Sequence, residues 1–187
     1  VYDGVQWQVY KMPNLSMVRS VYADYTGEVY IGAYNELGKM VYSENGKMTF
    51  SSLKNLIPEE YRNFDDVWGI FPFRNRIVFQ SYNAAYFYSK ESPVSVVDAP
   101  SRFQSAYSVG GRLIFNDDEK GLVEYNGNEL VELNGCNALI GQAVSSVLPY
   151  GSGNEILICT RRDGMFIHDG TKLRKWDIPV NKSLIKD

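Results

Sequence analysis

The sequence predicts an all-β protein: a β-propeller segment of four four-stranded blades plus one orphan outer strand, meaning an outer strand without the other three strands of its blade. Three observations support this prediction: an internal repeat of roughly forty residues, several short β-favouring segments in each repeat, and turn-forming residues between those segments. Helical signal is scarce, and its best case is one turn opened by Pro58 inside the longest connection between repeats.

The repeated unit is a turn residue, a charged residue, three apolar residues and then a small or polar residue. Four copies with matching flanks indicate a true repeat, and such a repeat decides the fold class. The first apolar residues of the units stand 48, 36 and 43 positions apart, and they are Val29, Ile77, Leu113 and Ile156. The units occupy residues 27–32, 75–80, 111–116 and 154–159.

The segments around each unit complete a blade of four strands. One β-favouring segment precedes each unit, a third strand follows it after a polar loop, and in most repeats a further turn leads to a fourth. Two of these turns contain Asn126-Gly127 and Asp169-Gly170, which suit tight hairpins because they tolerate positive φ. An all-β sandwich is the alternative fold, but it does not require a four-fold internal repeat. The predicted blades are residues 15–53, 64–98, 103–134 and 143–178.

The first ten residues are similar to the end of a further blade. Tyr2-Asp3-Gly4 and the segment after it match Tyr125-Asn126-Gly127 and its following strand. Residues 1–10 are therefore predicted to be the outer strand of a preceding blade, and residues 1–187 to be a single partial propeller. Because unpaired strand edges invite pairing with another chain, we also expect self-association.

Composition excludes several classes of function. The chain has 19 basic and 22 acidic residues, a net charge of −3 and a pI near 5.3, so it lacks the basic stripe that a nucleic-acid partner requires. A single histidine excludes a His-rich metal site, and neither a metal nor a cofactor is predicted. Cys136 and Cys159 form no CxxC motif, and we expect two free thiols. The alternative is a disulfide bond between them. No apolar run approaches the roughly 18 residues of a membrane-spanning helix.

His168 and one acidic run are the candidates for catalysis. His168 takes the repeat position held by Tyr2, Tyr42, Tyr88 and Tyr125, which indicates packing and turn support, so no catalytic residue is predicted. The run Asp117-Asp118-Glu119 is interpreted as a solvated loop between the second and third strands of its blade. The alternative is a glycan hydrolase or lyase that uses Asp117, Glu119 or His168; glycoside hydrolysis needs two carboxyl groups facing each other across a sugar.

The loops between the second and third strands carry polar and aromatic residues. In a propeller these loops emerge on one face, so we expect their side chains to converge on one rim. Tyrosine rings stack on the C–H surfaces of sugars while amides and charged groups bind hydroxyls, so this set suits a polar, ring-shaped ligand. The candidate ligand-binding residues are Tyr34, Asn35, Glu36, Tyr82, Asn83, Asp117, Asp118, Arg161 and Arg162.

Aromatic residues are abundant, with 14 Tyr, 9 Phe and 3 Trp. Those within strand segments are predicted to fill the space between neighbouring blades, since bulky β-favouring side chains pack well on pleated surfaces. They are Tyr30, Trp68, Phe71, Phe79 and Phe115.

The first complete repeat resembles the two-component regulator propeller family. Residues 18–21, followed by 24–33, are similar to its repeat, in which a short strand and an acidic-Gly turn precede an apolar-aromatic-Ile-Gly step. Residues 34–38 and 58–68 resemble a subgroup in which the propeller precedes a triple-tyrosine domain, a membrane helix and a cytoplasmic helix-turn-helix or histidine-kinase output. The later repeats depart from the pattern, and the residues that replace the glycine at Gly32 are Gln80, Asn116 and Cys159.

The resemblance implies a function that the residues alone do not define. It implies a periplasmic, non-enzymatic sensor or ligand-binding segment of a membrane-anchored two-component-like regulator of transcription, with an oligosaccharide or another nutrient as ligand. The implied partners are the remaining propeller blades and the membrane-proximal domain of the full-length protein. A protein-interaction propeller without a small ligand, and the enzyme described above, are the alternatives.

Overall fold

A computed structural model of the protein describes residues 4, 5, 7–151 and 153–184. Sixteen strands are present in this part of the chain, and they form four four-stranded antiparallel sheets. The chain divides into two compact units, residues 1–96 and 97–187; the first contains the first two sheets except for the last two residues of the second sheet, and the second contains the other two sheets. Among the described residues, no helix is long and apolar enough to cross a membrane.

The first unit contains the first and second sheets, whose strands pair in chain order. The first sheet consists of β1 (Val18–Ala23), β2 (Val29–Ala33), β3 (Glu36–Tyr42) and β4 (Met48–Ser52). The second sheet consists of β5 (Gly69–Phe73), β6 (Arg76–Gln80), β7 (Ala84–Tyr88) and β8 (Ser95–Asp98). Two short 3₁₀ helices lie between them, at Lys54–Leu56 and Glu59–Tyr61, and the second one confirms the turn predicted after Pro58.

The second unit contains the third and fourth sheets, again paired in chain order. The third sheet consists of β9 (Phe103–Val109), β10 (Arg112–Asp117), β11 (Gly121–Tyr125) and β12 (Leu130–Glu132). The fourth sheet consists of β13 (Val144–Pro149), β14 (Ile156–Thr160), β15 (Met165–His168) and β16 (Leu173–Lys175). A 3₁₀ helix at Cys136–Leu139 connects the two sheets, and a short helix α1 (Pro179–Leu184) follows β16.

The structure confirms the predicted all-β class and its four four-stranded sheets. The orphan outer strand predicted over residues 1–10 falls partly on residues 1–3 and 6, which lie outside the described residues. Within residues 4, 5 and 7–10, Trp7 forms an isolated β-bridge and no strand is present.

Hairpin turns of the predicted kind join the strands. The Oδ1 atom of Asn126 accepts hydrogen bonds from the backbone N–H groups of Asn128 and Glu129 at 2.9 and 3.0 Å. Gly127 adopts a φ of 110° in this turn, a value that residues with a side chain rarely adopt. Such side-chain bonds replace missing backbone partners, so the turn closes the hairpin without leaving polar groups unsatisfied.

Each unit buries its core between its two sheets. In the first unit, Tyr30 of β2 and Phe79 of β6 pack edge to face with ring centroids 6.2 Å apart. In the second unit, Ile114 of β10 and Ile158 of β14 belong to one buried cluster. Tyr30 and Phe79 thus fill the space between sheets, as predicted. For Trp68 the prediction is wrong, because the indole is 38% exposed.

Helix α1 was not predicted. Its six residues are too few to show a helical hydrophobic period, and one side chain anchors it. The buried amide of Asn181 accepts from the N–H of Met165 at 2.7 Å and donates to the carbonyl oxygens of Met165 and Trp176. Hydrogen bonds to Met165 of β15 and to Trp176 after β16 therefore position this helix.

Candidate functional site

A polar cavity of about 600 Å³ lies in the second unit, between the third and fourth sheets; we call it the Arg161 cavity. It brings together three predicted site residues: Asp117, Asp118 and Arg161. None of the residues that line it is aromatic, so hydrogen bonds rather than ring stacking would hold a ligand there. The polar side chains that line it include Gln104, Asn116, Asp118, Gln142, Ser145 and Arg161.

One wall of the Arg161 cavity is a backbone segment held from both sides. The Asn116 side chain of the third sheet donates to the carbonyl oxygen of Gln142 at 3.3 Å, and the Tyr107 hydroxyl donates to that of Val144 at 2.8 Å. From the fourth sheet, the N–H of Arg161 donates to the carbonyl oxygen of Ala143 at 2.9 Å. These bonds fix the wall before any ligand arrives, which lowers the entropy cost of binding.

The cavity carries a carboxylate and a guanidinium that do not pair with each other. Both carboxylate oxygens of Asp118 accept from the side-chain amide of Gln104, at 2.8 and 3.0 Å. The Arg161 side chain is exposed, and among the described residues it forms no ion pair. A carboxylate accepts hydrogen bonds and a guanidinium donates them, so the two groups can together bind the hydroxyls of one ligand. Arg162, also predicted, is exposed but does not line the cavity.

Asp117 is a structural carboxylate, and its interpretation as part of a solvated loop is wrong. Its side chain is 1% exposed, at the end of β10. It accepts five hydrogen bonds of 2.7 to 3.1 Å: two from Ser101 and one each from the N–H groups of Arg102, Glu119 and Lys120. These donors fill the lone pairs of the carboxylate, so Asp117 organises the cavity wall instead of attacking a substrate.

In the first unit, the predicted residues after β2 are engaged in internal contacts. The Oδ1 atom of Asn35 accepts from Lys54 Nζ at 2.8 Å and from the N–H of Phe64 at 3.3 Å. Glu36 is 8% exposed, and its carboxylate accepts from the Ser52 hydroxyl at 2.7 Å. Tyr34 forms an isolated bridge with Asp66, and its side chain is 54% exposed. Of these three predicted residues, Tyr34 is exposed, Asn35 is half-buried and Glu36 is buried.

Tyr82 and Asn83 lie beside the segment that precedes β5. The Tyr82 ring packs against Trp68 with centroids 5.4 Å apart, and the Arg19 guanidinium lies 5.0 Å from the centre of the Trp68 ring. Arg19 also pairs with Asp66 at 2.9 Å. Since Tyr34 bridges to Asp66, contacts through residues 65–68 link the two predicted loops of the first unit.

A tyrosine-lined cavity of about 420 Å³ lies in the first unit, where the β1–β2 turn, the β5–β6 turn and the end of β7 meet. The Glu28 carboxylate lines it and accepts from Lys90 at 2.8 Å, Lys39 at 3.0 Å and the Tyr30 hydroxyl at 3.0 Å. The bond from Lys90, reinforced by Lys39 and Tyr30, lowers the pKa of Glu28 to about 2. This cavity was not predicted, because the predicted site residues lie in loops between second and third strands, whereas the residues of this cavity come from turns between first and second strands and from the end of β7. The sequence feature that could have indicated this cavity is a set of four tyrosines, namely Tyr22, Tyr25, Tyr30 and Tyr88.

His168 is buried at the end of β15 and 0% exposed. Its Nδ1 atom accepts from the N–H of Gly170 at 3.2 Å, so its proton resides on Nε2, which donates to the carbonyl oxygen of Asn134 at 3.1 Å. Burial lowers the pKa of this imidazole below its ordinary value of 6.5. Both ring nitrogens form hydrogen bonds to the backbone, and the imidazole is neutral. His168 therefore has the packing and turn-supporting role predicted for this position.

This burial makes the stability of the protein depend on pH near neutrality. The unfolded chain binds a proton at His168 near pH 6.5, whereas the folded chain does so only at lower pH. The free energy of unfolding should therefore fall as the pH decreases from 7.5 to 5.5. Urea denaturation at each pH should show this fall in the parent chain and a flatter profile in His168→Gln, whose amide does not titrate. If the free energy of unfolding depended on pH equally in both proteins, His168 would not be the group whose titration causes the fall.

The two cysteines are free thiols in the structure. Cys136 is buried at the start of the 3₁₀ helix, and burial raises the pKa of its thiol to about 12. Cys159 lies in β14 and is partly exposed. A thiol with so high a pKa stays protonated at neutral pH, so Cys136 is not a nucleophile.

Comparisons with known proteins define the fold. No protein-family model matches the sequence, and no curated protein matches it. The structure is similar to that of virginiamycin B lyase from Staphylococcus aureus, with a TM-score of 0.63 and 13% identity over 90% of this chain. It is also similar to a streptogramin B lyase, with a TM-score of 0.58 and 16% identity over 90% of this chain.

The extracellular domain of a two-component system shares the fold as well. The extracellular domain of a protein named as a hybrid two-component system of B. thetaiotaomicron matches with a TM-score of 0.57 and 14% identity over 94% of this chain. The resemblance to two-component regulator propellers is therefore confirmed at the level of the fold. This chain spans 57% of the length of the virginiamycin B lyase chain and 23% of the length of the two-component-system chain.

The comparisons also correct the expectation that this chain is not an enzyme. Enzymes are among the proteins that share its fold, namely the virginiamycin B and streptogramin B lyases. The non-enzymatic expectation was drawn from the family resemblance and from the structural interpretation of His168 and the acidic run, and the presence of lyases among the proteins that share this fold overturns it. At 13–16% identity the similarity shows the fold alone, and it assigns no catalytic residue to this chain.

Proposed function

We propose that this chain is the ligand-binding part of an extracytoplasmic sensor, and that a polar ligand binds in the Arg161 cavity. The observation that carries the proposal is the fold shared with the extracellular domain of the hybrid two-component system. The full-length protein would then be a membrane-anchored regulator of transcription with this part in the periplasm. Its remaining blades and membrane-proximal domain would be the partners of this chain.

The lining of the Arg161 cavity supports a hydroxyl-rich ligand such as an oligosaccharide. The Asp118 carboxylate and the amide oxygens of Asn116 and Gln142 are acceptors, while Arg161 and the amide N–H₂ groups are donors. A sugar hydroxyl both donates and accepts, so it can satisfy donor and acceptor groups together. The absence of aromatic rings among the lining residues means that hydrogen bonding, not stacking, would select this ligand.

In this proposal the sheets act as a rigid frame. The fixed wall at residues 142–144 and the buried Asp117 hold the cavity in one shape, so the ligand binds without reshaping it. A cavity of fixed shape gives the ligand no preference between two states, so signalling would require the bound ligand to contact the membrane-proximal domain in one of those states.

Thermal denaturation tests the proposal. The melting temperature of the chain would be measured with neutral gluco-, xylo-, arabino- and galacto-oligosaccharides of two to six units. A ligand at about 100 times its Kd stabilises the native state by about 2.7 kcal/mol, which raises the melting temperature by about 5–10 °C. No rise with any compound would reject the oligosaccharide proposal and favour a protein-interaction propeller.

Two neighbouring arginines supply a matched control. Arg161→Ala removes the guanidinium that lines the cavity, so the rise in melting temperature should be lost. Arg162→Ala removes the neighbouring guanidinium, which is also exposed but does not line the cavity, so the rise should persist. A rise retained in Arg161→Ala would place the ligand elsewhere, and the tyrosine-lined cavity would be the next site to test.

A further inference from the structure

The tyrosine-lined cavity is built entirely from the first unit, where its two sheets meet. Its walls are the β1–β2 turn of the first sheet and the β5–β6 turn and the end of β7 of the second. Tyr30 and Tyr88 are buried, with ring centroids 6.3 Å apart, and Tyr22 stacks on Tyr30 at 6.5 Å. A volume of about 420 Å³ is within the range of pockets that hold small molecules.

This cavity already holds one ammonium group, that of Lys90. Its Nζ atom donates to Glu28 Oε2 at 2.8 Å, and the Tyr30 hydroxyl donates to the same oxygen at 3.0 Å. Lys39 donates to the other carboxylate oxygen at 3.0 Å. The Lys90 side chain is 61% exposed and that of Lys39 only 18%. Because an exposed ion pair contributes little to stability, Lys90 can leave the carboxylate at small cost, whereas Lys39 stays.

Two further carboxylates line the cavity, those of Asp24 and Glu91. Asp24 Oδ1 accepts from the hydroxyl and the N–H of Thr26 at 2.6 and 2.8 Å and from the N–H of Glu28 at 3.0 Å. The bond from the Thr26 hydroxyl lowers the pKa of Asp24, which is therefore ionised at neutral pH. The acidic groups of the lining thus favour a cation.

The two arginines of the lining place their guanidinium groups on the other face of the second sheet. Ile77 packs against the cluster shared with the first sheet, so Arg76, one position away in β6, lies on the opposite face, where it donates to the Ser95 hydroxyl at 3.2 Å. Phe73 pairs with Arg76 and so lies on that face too, and the Arg74 guanidinium is 5.0 Å from the centre of the Phe73 ring. These arginines therefore do not neutralise the carboxylates of the cavity.

We propose that the tyrosine-lined cavity binds a small organic ammonium compound, whose ammonium group replaces that of Lys90 on Glu28. The ligand donates to the Glu28 carboxylate in a charge-assisted hydrogen bond, and the tyrosine rings attract its charge and cover its hydrocarbon part. Lys90 keeps the carboxylate paired while the ligand is absent. This inference concerns the first unit and does not depend on ligand binding in the Arg161 cavity.

Titration with n-butylammonium, which reproduces the end of a lysine side chain, tests the proposal. Its Kd would be measured by NMR from the tyrosine ring signals. Lys90→Ala removes the competing ammonium, so binding should become about two- to fivefold tighter than in the parent chain, the factor that corresponds to an exposed ion pair. Lys47→Ala removes the same charge from an exposed turn that does not line the cavity, so its Kd should equal that of the parent.

Two further measurements test the role of charge. n-Butanol has nearly the same shape without the charge and should not bind at the same concentrations. Glu28→Gln keeps the shape of the side chain but removes its charge, so the affinity for n-butylammonium should fall by about tenfold or more. Lys90→Ala changes only an exposed side chain, so it remains informative even if Glu28→Gln does not fold.

Three results would overturn the proposal. The first is the absence of n-butylammonium binding to the parent chain. The second is an affinity of Lys90→Ala no higher than that of Lys47→Ala, since Lys90 would then not occupy the place of the ligand. The third is equal binding of n-butanol, which would show that the cavity takes up apolar molecules without recognising an ammonium group.

Discussion

Replacing Asp117 by alanine is expected to lower the free energy of unfolding by about 3–5 kcal/mol, the range for breaking a buried polar network. The carboxylate is buried and accepts five hydrogen bonds, four of them from backbone N–H groups. Alanine leaves those donors without their partner. Chemical denaturation monitored by tryptophan fluorescence measures the loss.

Glu119→Ala is the matched control for this prediction. Glu119 belongs to the same acidic run, but its side chain is exposed, so its removal should change the stability by no more than about 0.5 kcal/mol. A small effect for both variants would contradict the structural role of Asp117. A large loss of the free energy of unfolding in Asp117→Ala alone would show that these two acids of one run have different structural roles.

Replacing Gly121 by alanine is expected to cost about 2–4 kcal/mol, from overpacking and from an unfavourable backbone conformation together. Gly121 begins β11 with a φ of 72°, and a Cβ atom there would lie 2.3 Å from the carbonyl oxygen of Cys136. That oxygen belongs to the backbone of a buried residue and cannot move aside cheaply. The same denaturation experiment measures the effect.

Gly110→Ala separates the two causes. Gly110 also has a positive φ, 58°, but a Cβ atom there would meet nothing within 4 Å. Its replacement should cost about 1–2 kcal/mol, the conformational part alone. If both variants lost the same free energy of unfolding, the close approach of residue 121 to the Cys136 carbonyl oxygen would not contribute to the destabilisation. The shift of the 3₁₀ helix expected in Gly121→Ala should also weaken any ligand binding in the Arg161 cavity, since that helix leads into the wall at residues 142–144.

Local patterns predicted the strands and turns of this protein well. The repeat unit marks β2, β6, β10 and β14, because a buried strand needs apolar residues in a short run between turn residues. The Asn126 turn was also predictable, since its side-chain bonds reach only two or three residues along the chain. The position of His168 in a tyrosine series likewise indicated a structural residue.

The candidate site was less predictable. Asp117, Asp118 and Glu119 look alike in sequence, yet one is buried, one lines a cavity and one is exposed. The tyrosine-lined cavity escaped prediction because its residues come from turns at the other ends of the strands. Contacts such as the bond from Gln104 to Asp118 join residues 14 positions apart, and no local pattern encodes them.

The sequence by itself determined the sheets, their strand order and the repeat, because short apolar runs and turn chemistry act over a few residues. Only the tertiary structure decided which members of an acidic run are buried, which glycine is held against a backbone oxygen, and which charged groups meet in one cavity. Glu28 precedes β2 and Lys90 follows β7, and only the packing of the two sheets brings their side chains to 2.8 Å. Burial and ion pairing depend on what packs against a residue, and that is a property of the assembled chain.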